Sequence, residues 1–412
     1  MLLSASVAAA QSPELLFPVR ELPPPSERSA PFQNIIDVVA VGGGRVLVHD
    51  MAARRLVLLD STLATVRVVL DSAASGQSKY GRFAGRLIDF PGDSALFLDL
   101  AAQSFLVIDS EGGIARVASV PRPMDAGAMV TAETPRVDAG LRLVYRIGLR
   151  GRSAGARSNP SGAERHLAPD TAAIVRVDLE TRALDTVARF RIRQWPGIVR
   201  FRDSVDQAVV TRVNPLEPLD DWTMFGDGTV AVIRGAEYRL ELVRADGSRD
   251  VTPKVPYEWV RMDDSTRVAF IAYLEQRQEA RLAANRRERA GKPPMEPREV
   301  ATLMRRAQQG ELDVPHVRYQ FVDPLDLPGF RPAVVARSAR PSPENTIWVR
   351  TLFQTPADSG IVYDVLDVTG ARIDRVRVAE GRTLAALDVD VALLVFTDGD
   401  GGVRLERVRR KR

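Results

Sequence analysis

Three carboxylates, one arginine and one tryptophan are the side chains of this sequence best suited to binding a ligand. Asp37, Asp89 and Asp221 lie at or near the start of short apolar segments (NIIDVVAV, RLIDFPG and LDDWTMF), and Arg86 and Trp222 lie close to two of them. Convergent carboxylates can bind a cation or a basic ligand, and an indole ring provides an apolar or cation–π surface. The competing interpretation is that these acids accept hydrogen bonds from backbone amides or pair with arginines.

The motifs of the common catalytic classes are missing from the sequence. It contains no G-x-S-x-G nucleophile elbow, no Walker phosphate loop and no H-E-x-x-H zinc motif. Cysteine is absent, which excludes a disulfide framework, a zinc finger, an iron–sulfur site and a thiol nucleophile. The glycines at 42–44 precede a strand and form a turn, and DGDGG at 398–402 lacks the other oxygen ligands and the closing Glu of a calcium loop.

The sequence alone reveals no acid–base partner for any of the three histidines. His49 is adjacent to Asp50 at a strand end, but neighbouring residues of a strand point to opposite faces of the sheet. His166 lies in a loop-like segment, and His316 follows Pro315 in a linker. We identify no partner for any of them and expect structural or solvent-exposed roles.

A recurring strand–turn–strand unit must position the candidate side chains. RVLVHD (45–50), RLVLLD (55–60) and VRVVLD (66–71) are followed by a similar trio, ALFLDL (95–100), SFLVID (104–109) and IARVASV (114–120). One unit of three or four strands per ~40–50 residues is the period of a propeller blade. The hairpin of the third and fourth strands recurs along the chain, and an aspartate that can accept hydrogen bonds from turn amides ends the third strand each time: Asp60, Asp109, Asp178, Asp246 and Asp367.

We therefore predict an all-β fold, a six-bladed β-propeller spanning 14–412. The sixth unit has only three strands, at 383–389, 391–397 and 403–409, so an N-terminal strand, ELLFPVREL (14–22), is expected to close the last blade. In a propeller the innermost strand of each blade lines a central channel, and ligands bind at its mouth. This geometry predicts a ligand-binding site made by Asp37, Arg86, Asp89, Asp221 and Trp222.

Two insertions interrupt the repeat. Residues 148–170 are rich in Gly, Ser, Ala and Arg, which predicts a flexible loop in the third blade. Residues 263–312, between the fourth and fifth blades, have a helical pattern, with Asp264 or Ser265 as the N-cap and a second helix after Pro297. The first helix has an apolar stripe in its first half: Val268, Ile271, Leu274 and Leu282.

Repeated strands that end in Asp and a polar turn resemble the six-bladed propellers of the NHL and TolB-like group. Several segments are similar to a set of uncharacterised exported bacterial propellers: DTAAIVRVDLETRALDTVA (170–188), DDWTMFGDGTVAVIRGAEYRLELVRADGSR (220–249) and VPYEW (255–259). The resemblance covers most of residues 30–410. These motifs specify strands and turns, so they imply the fold and little chemistry.

The N-terminal sequence and the net charge indicate where the protein is located and which classes of partner it can bind. Residues 1–10 resemble a truncated signal peptide, with small residues before Gln11, so we expect export to the periplasm or the cell exterior. The net charge of +4 is modest for 412 residues, and the basic run at 407–412 is too short to predict nucleic-acid binding. No segment is apolar over the length of a membrane span. We expect a monomer.

Two functions compete. The first is a non-catalytic exported propeller that binds a protein, a peptide or a carbohydrate through one face of the ring, without a cofactor. The alternative is an enzyme of the gluconolactonase or lyase type; the resemblance implies a divalent cation at the channel mouth for such enzymes, usually held by Glu, Asn and Asp. Only Asp37, Asp89 and Asp221 resemble that ligand set here.

Overall fold

Six sheets form a ring, as predicted, and each contains four antiparallel strands; the sheet of the fifth blade has a short fifth strand in addition. The computed structural model describes residues 18–83, 85–131, 133–148, 171–193, 209–290, 316–352, 360–398 and 402–410. In each blade the chain starts at the innermost strand and steps outward by hairpins. The innermost strands contact one another in five of the six pairs of neighbouring blades, including the sixth and the first, and a shared apolar cluster joins the third and fourth blades. The structure is therefore a closed six-bladed β-propeller.

The strands of the blades follow in chain order. The first blade comprises Ile35–Val41, Arg45–Asp50, Arg55–Leu59 and Thr65–Asp71, and the second Arg86–Phe90, Ser94–Asp99, Ser104–Ile108 and Ile114–Ser119. The third comprises Arg136–Val137, Arg142–Gly148, Thr171–Asp178 and Leu184–Arg191, and the fourth Asp221–Met224, Val230–Arg234, Arg239–Val243 and Arg249–Val251. The fifth comprises Arg340–Ser342, Thr346–Arg350, Ile361–Leu366 and Arg372–Val378, and the sixth Arg382–Asp388, Val391–Thr397, Val403–Arg409 and the N-terminal Glu27–Arg28.

Apolar side chains on the two faces of each sheet form the cores between blades. Leu47 and Leu58 of the first blade, for example, pack with Phe97 of the second, and all three are almost fully buried. An equivalent cluster lies at each of the other five blade interfaces. Both faces of every sheet are thus covered, which explains why the strands are nearly continuous apolar runs with little alternation.

The five turn aspartates behave as the sequence predicts. In each turn one carboxylate oxygen accepts hydrogen bonds from backbone amides two to four residues further on, for example from Thr62 and Ala64 to Asp60 at 2.8 and 3.0 Å. Two such bonds also form at Asp109, Asp178 and Asp367, and one, from the Ser248 amide, forms at Asp246. These residues stabilise turns, and none of them lines the central channel.

The N-terminal strand closes the last blade, but a different segment performs this role from the one the sequence suggests. Glu27–Arg28 is the fourth strand of the sixth blade and pairs antiparallel with Glu406 and Arg407. Within the predicted segment 14–22, Arg20–Glu21 instead pairs parallel with the outer strand of the fifth blade. The expectation about 14–22 was therefore wrong in detail, because the chain crosses from one blade to the next before it closes the ring.

A long helix, Asp264–Arg289, lies between the fourth and fifth blades. The N-cap of this helix is Asp263, whose side chain accepts a hydrogen bond from the Thr266 amide at 2.8 Å. The two residues predicted as caps, Asp264 and Ser265, do not occupy that position. The helix contacts Val317–Phe321, which pairs parallel with Val209–Val213 outside the ring. In the described ranges, no helix has both the length and the apolar content needed to cross a membrane.

The buried face of this helix differs from the predicted stripe. Ile271 and Leu282 are buried and Leu274 is half-buried, but Val268 is 54% exposed. The side chain of Gln278 is buried on the same face, where it hydrogen-bonds both backbone groups of Tyr319. A polar residue thus occupies a position that an apolar pattern could not predict.

Short helical turns complete the described elements: 3₁₀ turns at Gly76–Ser78, Pro123–Asp125 and Pro324–Asp326, and a helix at Ala126–Thr131. Several predictions fall outside the described residues: the signal-like segment 1–10, nearly all of the loop 148–170, the second helix after Pro297, His166 and the middle of DGDGG.

Candidate functional site

A cavity of about 540 Å³ runs along the axis of the ring. Residues from all six blades contribute to its wall, and most of them lie on the innermost strands. Apolar side chains such as Val39, Phe90 and Met224 line part of the wall. The polar members of the lining are Asp37, Asp89, Thr134, Arg136, Arg340, Ser342, Thr383 and Asp388.

Asp37 is the predicted site residue most deeply enclosed by this wall. Its Oδ1 lies 3.2 Å from Nε of Arg86, and its Oδ2 lies 3.2 Å from Nδ1 of His49 and accepts a hydrogen bond from the Leu87 amide at 3.1 Å. Burial alone raises the pKa of this carboxyl, but the Arg86 charge and the contacts with His49 and Leu87 outweigh it and hold the pKa below its ordinary value. Asp37 is therefore an ionised carboxylate whose hydrogen bonds join the first two blades.

His49 has partners that the sequence analysis missed. It is fully buried, and its Nε2 lies 2.6 Å from the hydroxyl of Tyr80, whose oxygen also accepts a bond from the Gly85 amide at 3.3 Å. Asp37 and His49 are directly paired across the first hairpin. The glycine turn at 42–44 would have predicted that pairing, because residues opposite each other in an antiparallel hairpin share a face.

Asp89 lies in the channel wall, where it remains accessible to water. Desolvation by the surrounding wall raises the pKa of Asp89. The positive charge of Arg136 opposes this shift, and the negative charge of Asp388 adds to it. In the described part of the chain, neither Asp89 nor Asp388 has a cationic side chain within 4.0 Å.

Arg136 and Arg340 are channel residues that the sequence analysis did not single out. Each begins the innermost strand of its blade. Burial lowers the pKa of Arg136 to about 10; the Asp89 charge opposes this shift, and the neighbouring charges of Arg340 and Arg86 contribute to it. The guanidinium of Arg136 therefore remains protonated at neutral pH, and neither Arg136 nor Arg340 forms an ion pair within 4.0 Å to a described residue.

Arg86 links Asp37 in the channel wall to the chain segment that joins the second and third blades. Besides its contact with Asp37, it donates a hydrogen bond to the Thr134 hydroxyl at 2.6 Å. The adjacent Glu133 lies 2.8 Å from Arg146 and 3.1 Å from Arg337, which precedes the fifth blade. Arg86 is thus one of several charged residues that form ionic contacts between blades near the channel.

Asp221 and Trp222 lie outside the cavity lining. Asp221 is buried, and its Oδ2 accepts hydrogen bonds from the Ser338 and Ala339 amides at 2.8 Å each. Burial raises the pKa of Asp221 to about 6. Trp222 is buried in the core between the third and fourth blades. The structure thus places Asp37 and Asp89 in the channel wall, Arg86 behind the wall in contact with Asp37, and Asp221 and Trp222 between blades.

The described side chains of the channel do not form a site for a divalent cation. Among the described residues, no group of three or more Asp, Glu, His or Cys side chains is arranged to hold a metal ion. The three aspartates that resembled a ligand set are separated: Arg86 neutralises Asp37, and backbone amides surround the carboxylate of Asp221. Arg136 beside Asp89 would also repel a cation.

Comparison with known proteins gives distant structural similarities. No protein-family model and no curated protein matches the sequence. A member of the DUF4221 family from Bacteroides vulgatus is 9% identical, with 93% of this chain and 97% of that chain covered and a TM-score of 0.46. The calcium-binding protein regucalcin from Agrobacterium tumefaciens is 12% identical (96% and 98% covered, TM-score 0.41), and a gluconolactonase from Xanthomonas campestris is 12% identical (92% and 87% covered, TM-score 0.37). At these values the assignment of six blades rests on the strand pairing within this chain.

Proposed function

We propose that this protein is an exported, non-catalytic β-propeller that binds its ligand at one face of the ring, with the axial channel as the binding site. The observation that carries the proposal is the cavity of about 540 Å³, to which all six blades contribute charged, polar and apolar side chains. Its volume is in the range of pockets that hold small ligands, roughly 300–1,000 Å³. Export rests on the signal-like residues 1–10.

The roles of the charged residues support binding without catalysis. Among the described residues, an Asp–His pair lies beside the channel, Asp37 with His49, but it is closed off: the second histidine nitrogen is bonded to Tyr80, and the ring is 0% exposed. A general base must reach the proton that it removes, within hydrogen-bond distance or through one water. His49 therefore has no access to a substrate, and the gluconolactonase- or lyase-like alternative has no metal-binding cluster among the described residues to support it.

A channel-filling variant tests this proposal. Thr383 is exposed within the channel wall, so Thr383→Trp should fill the cavity without disturbing a blade core. Val66, on the outer strand of the first blade, is 53% exposed, and Val66→Trp is the matched control. Ligands from a panel of short peptides and oligosaccharides should raise the melting temperature of the wild type and of the control, and should not raise that of Thr383→Trp.

Two results would overturn the proposal. Ligand binding that is equal in Thr383→Trp and in the wild type would place the site outside the channel. Turnover of a lactone that requires added Ca²⁺, Mn²⁺ or Zn²⁺ would establish the enzyme alternative instead.

A further inference from the structure

Charged side chains of both signs are intermixed in the channel wall. Arg86 neutralises Asp37. The other charged residues of the described lining are two of each sign: Asp89, Asp388, Arg136 and Arg340. Among the charged neighbours that act on Arg136, Asp89 has the largest effect, and Arg136 and Asp388 both act on Asp89. Opposite charges are therefore neighbours in this wall, and the four formal charges sum to zero.

These neighbouring charges do not contact one another directly. In the described part of the chain, Asp89 and Arg136 form no ion pair within 4.0 Å, although each shifts the pKa of the other. Arg340 donates from one nitrogen, Nη1, to the carbonyls of Arg337 and Ala339 at 3.4 and 3.0 Å. The gap between Asp89 and Arg136 is thus wider than a direct contact, and one polar group of a ligand can bridge it.

A neutral group that both donates and accepts hydrogen bonds suits this gap. A cation at Asp89 would be repelled by Arg136, and an anion at Arg136 would be repelled by Asp89. A hydroxyl group carries no charge, and its single oxygen can donate to the carboxylate while it accepts from the guanidinium. Hydrogen bonds to charged partners are also stronger than those between two neutral groups. The wall therefore favours a neutral ligand with several hydroxyl groups.

The rest of the wall suits the carbon skeleton of such a ligand. Phe90, Met224 and Leu387 contribute apolar surface, and Thr383 adds an exposed hydroxyl group. A pyranose ring has hydroxyl groups around its edge and C–H groups on its faces, so the faces can pack on apolar side chains while the hydroxyl groups reach charged ones. A rigid ring also loses less conformational entropy on binding than an open-chain polyol does.

We propose that the channel binds a short neutral oligosaccharide, in which one ring hydroxyl bridges Asp89 and Arg136 and others bind Arg340 and Asp388. This inference rests on the proposed function and names the ligand class of the same site. Because the four wall charges sum to zero, a charged group added to the sugar would enter the channel without a net counter-charge. The charge of the saccharide is therefore the property to vary in a test.

Calorimetry with pairs of saccharides that differ only in charge tests the inference. The neutral probes are cellotriose, mannotriose and galactotriose, and each is compared with the trimer of its own uronic acid, which has the same rings with a carboxylate at C6. At least one neutral trimer should bind the wild type. The matching uronate should bind at least about tenfold more weakly, because its carboxylates are desolvated beside Asp89 and Asp388.

Two variants change the net charge of the wall. Asp89→Asn leaves an excess positive charge, so it should weaken binding of the neutral trimer about fivefold and bind the uronate more tightly than the wild type does. Arg136→Gln leaves an excess negative charge and should weaken both ligands. Asp250→Asn and Arg116→Gln, at exposed positions on outer strands, are the matched controls and should bind as the wild type does. Melting curves show which variants keep the fold.

Preference of the wild type for a uronate over its neutral trimer would overturn the inference, and so would failure of every neutral trimer to bind. If the tripeptide Leu-Ala-Leu binds instead and Thr383→Trp abolishes that binding, the channel remains the site and only the saccharide assignment is wrong. If a neutral trimer binds Thr383→Trp as tightly as the wild type, the site lies outside the channel, and the proposed function fails together with the inference.

Discussion

The Nδ1 atom of His49 lies 3.2 Å from a carboxylate oxygen of Asp37, directly across the first hairpin of the ring. The same histidine is bonded to Tyr80, which follows the first blade in the chain, and Asp37 is bonded to Arg86 of the second blade. Four side chains thus form one buried polar chain that joins two blades. In a buried polar chain of this kind each member depends on the others.

Removing the Tyr80 hydroxyl should break this chain. Tyr80→Phe leaves Nε2 of His49 and the Gly85 amide without their partner in a buried place, which costs about 1–3 kcal/mol in the free energy of unfolding. Urea unfolding of both proteins measures this loss in the free energy of unfolding. Tyr273→Phe is the control, since Tyr273 is 54% exposed and its loss should stay within about 0.5 kcal/mol. Similar costs for the two variants would contradict the role assigned to Tyr80.

A second buried cluster should be more sensitive still. Asp364 is completely buried and binds Arg375 at 2.8 Å, Arg372 at 3.3 Å and the Tyr238 hydroxyl at 2.8 Å. Asp364→Asn leaves two buried guanidinium groups with less counter-charge, so we expect a loss of about 3–5 kcal/mol.

The matched control for Asp364 is an ion pair in the same blade. Glu21, whose side chain is 58% exposed, lies 2.7 Å from Arg377, and Glu21→Gln should cost less than about 1 kcal/mol because solvent screens that pair. Denaturant midpoints with unchanged slopes report both losses. A cost for Asp364→Asn as small as that of Glu21→Gln would show that the buried cluster is not coupled to folding.

Asp221 should make stability depend on pH. Burial raises its pKa from 3.8 to about 6, so between these values the folded protein holds a proton that the unfolded chain has released. Stability from this group is therefore fully present below about pH 4 and is lost as the pH rises through about 6. Relative to Asp221→Asn, the wild type should lose about 2–3 kcal/mol between about pH 4 and pH 7.

Urea titrations at several pH values test this difference, with Asp250→Asn as the control because Asp250 is exposed on the fourth blade. The stability difference between wild type and Asp250→Asn should stay nearly constant with pH. A constant difference for Asp221→Asn as well would mean that the buried carboxyl does not titrate in this range.

Gln278 should hold the long helix against its neighbouring strand. Its side chain accepts a hydrogen bond from the Tyr319 amide at 2.6 Å and donates one to the Tyr319 carbonyl at 3.0 Å. Gln278→Leu removes both of these hydrogen bonds, so amide exchange at Tyr319 should accelerate by at least about tenfold. Gln276→Leu, at an exposed position of the same helix, should leave that rate unchanged. Equal rates in the two variants would refute the role of Gln278.

The sequence was sufficient to predict the architecture, because the blade period and the turn aspartates are local patterns. At Asp60 and its four equivalents, for example, the strand, the aspartate and the polar turn lie within a few residues of one another, so a short stretch of sequence is enough to recognise them. The closing strand was harder to place, since Glu27–Arg28 pairs with residues at the other end of the chain and has only two residues of its own. Short edge strands carry almost no periodicity.

The candidate site was predictable only in part. Asp37 and Asp89 stand on innermost strands, so the blade pattern placed them at the channel. Asp221 also begins an innermost strand, but its carboxylate turns to the amides before the fifth blade, which no local pattern encodes. Arg136 and Arg340 were missed because arginine is common throughout the chain, and their shared position at strand starts becomes visible only once the strands are known.

The pairing of Glu27–Arg28 with the last strand has a consequence for how the chain is made. Ser29 and Leu405 are joined by hydrogen bonds although 376 residues separate them. During synthesis the N-terminal segment leaves the ribosome first, yet it cannot find its partner until residues 403–409 have also emerged. Ring closure therefore waits for the synthesis of the last blade, and the open ring that precedes it exposes the outer edge of one blade to chaperones and to aggregation.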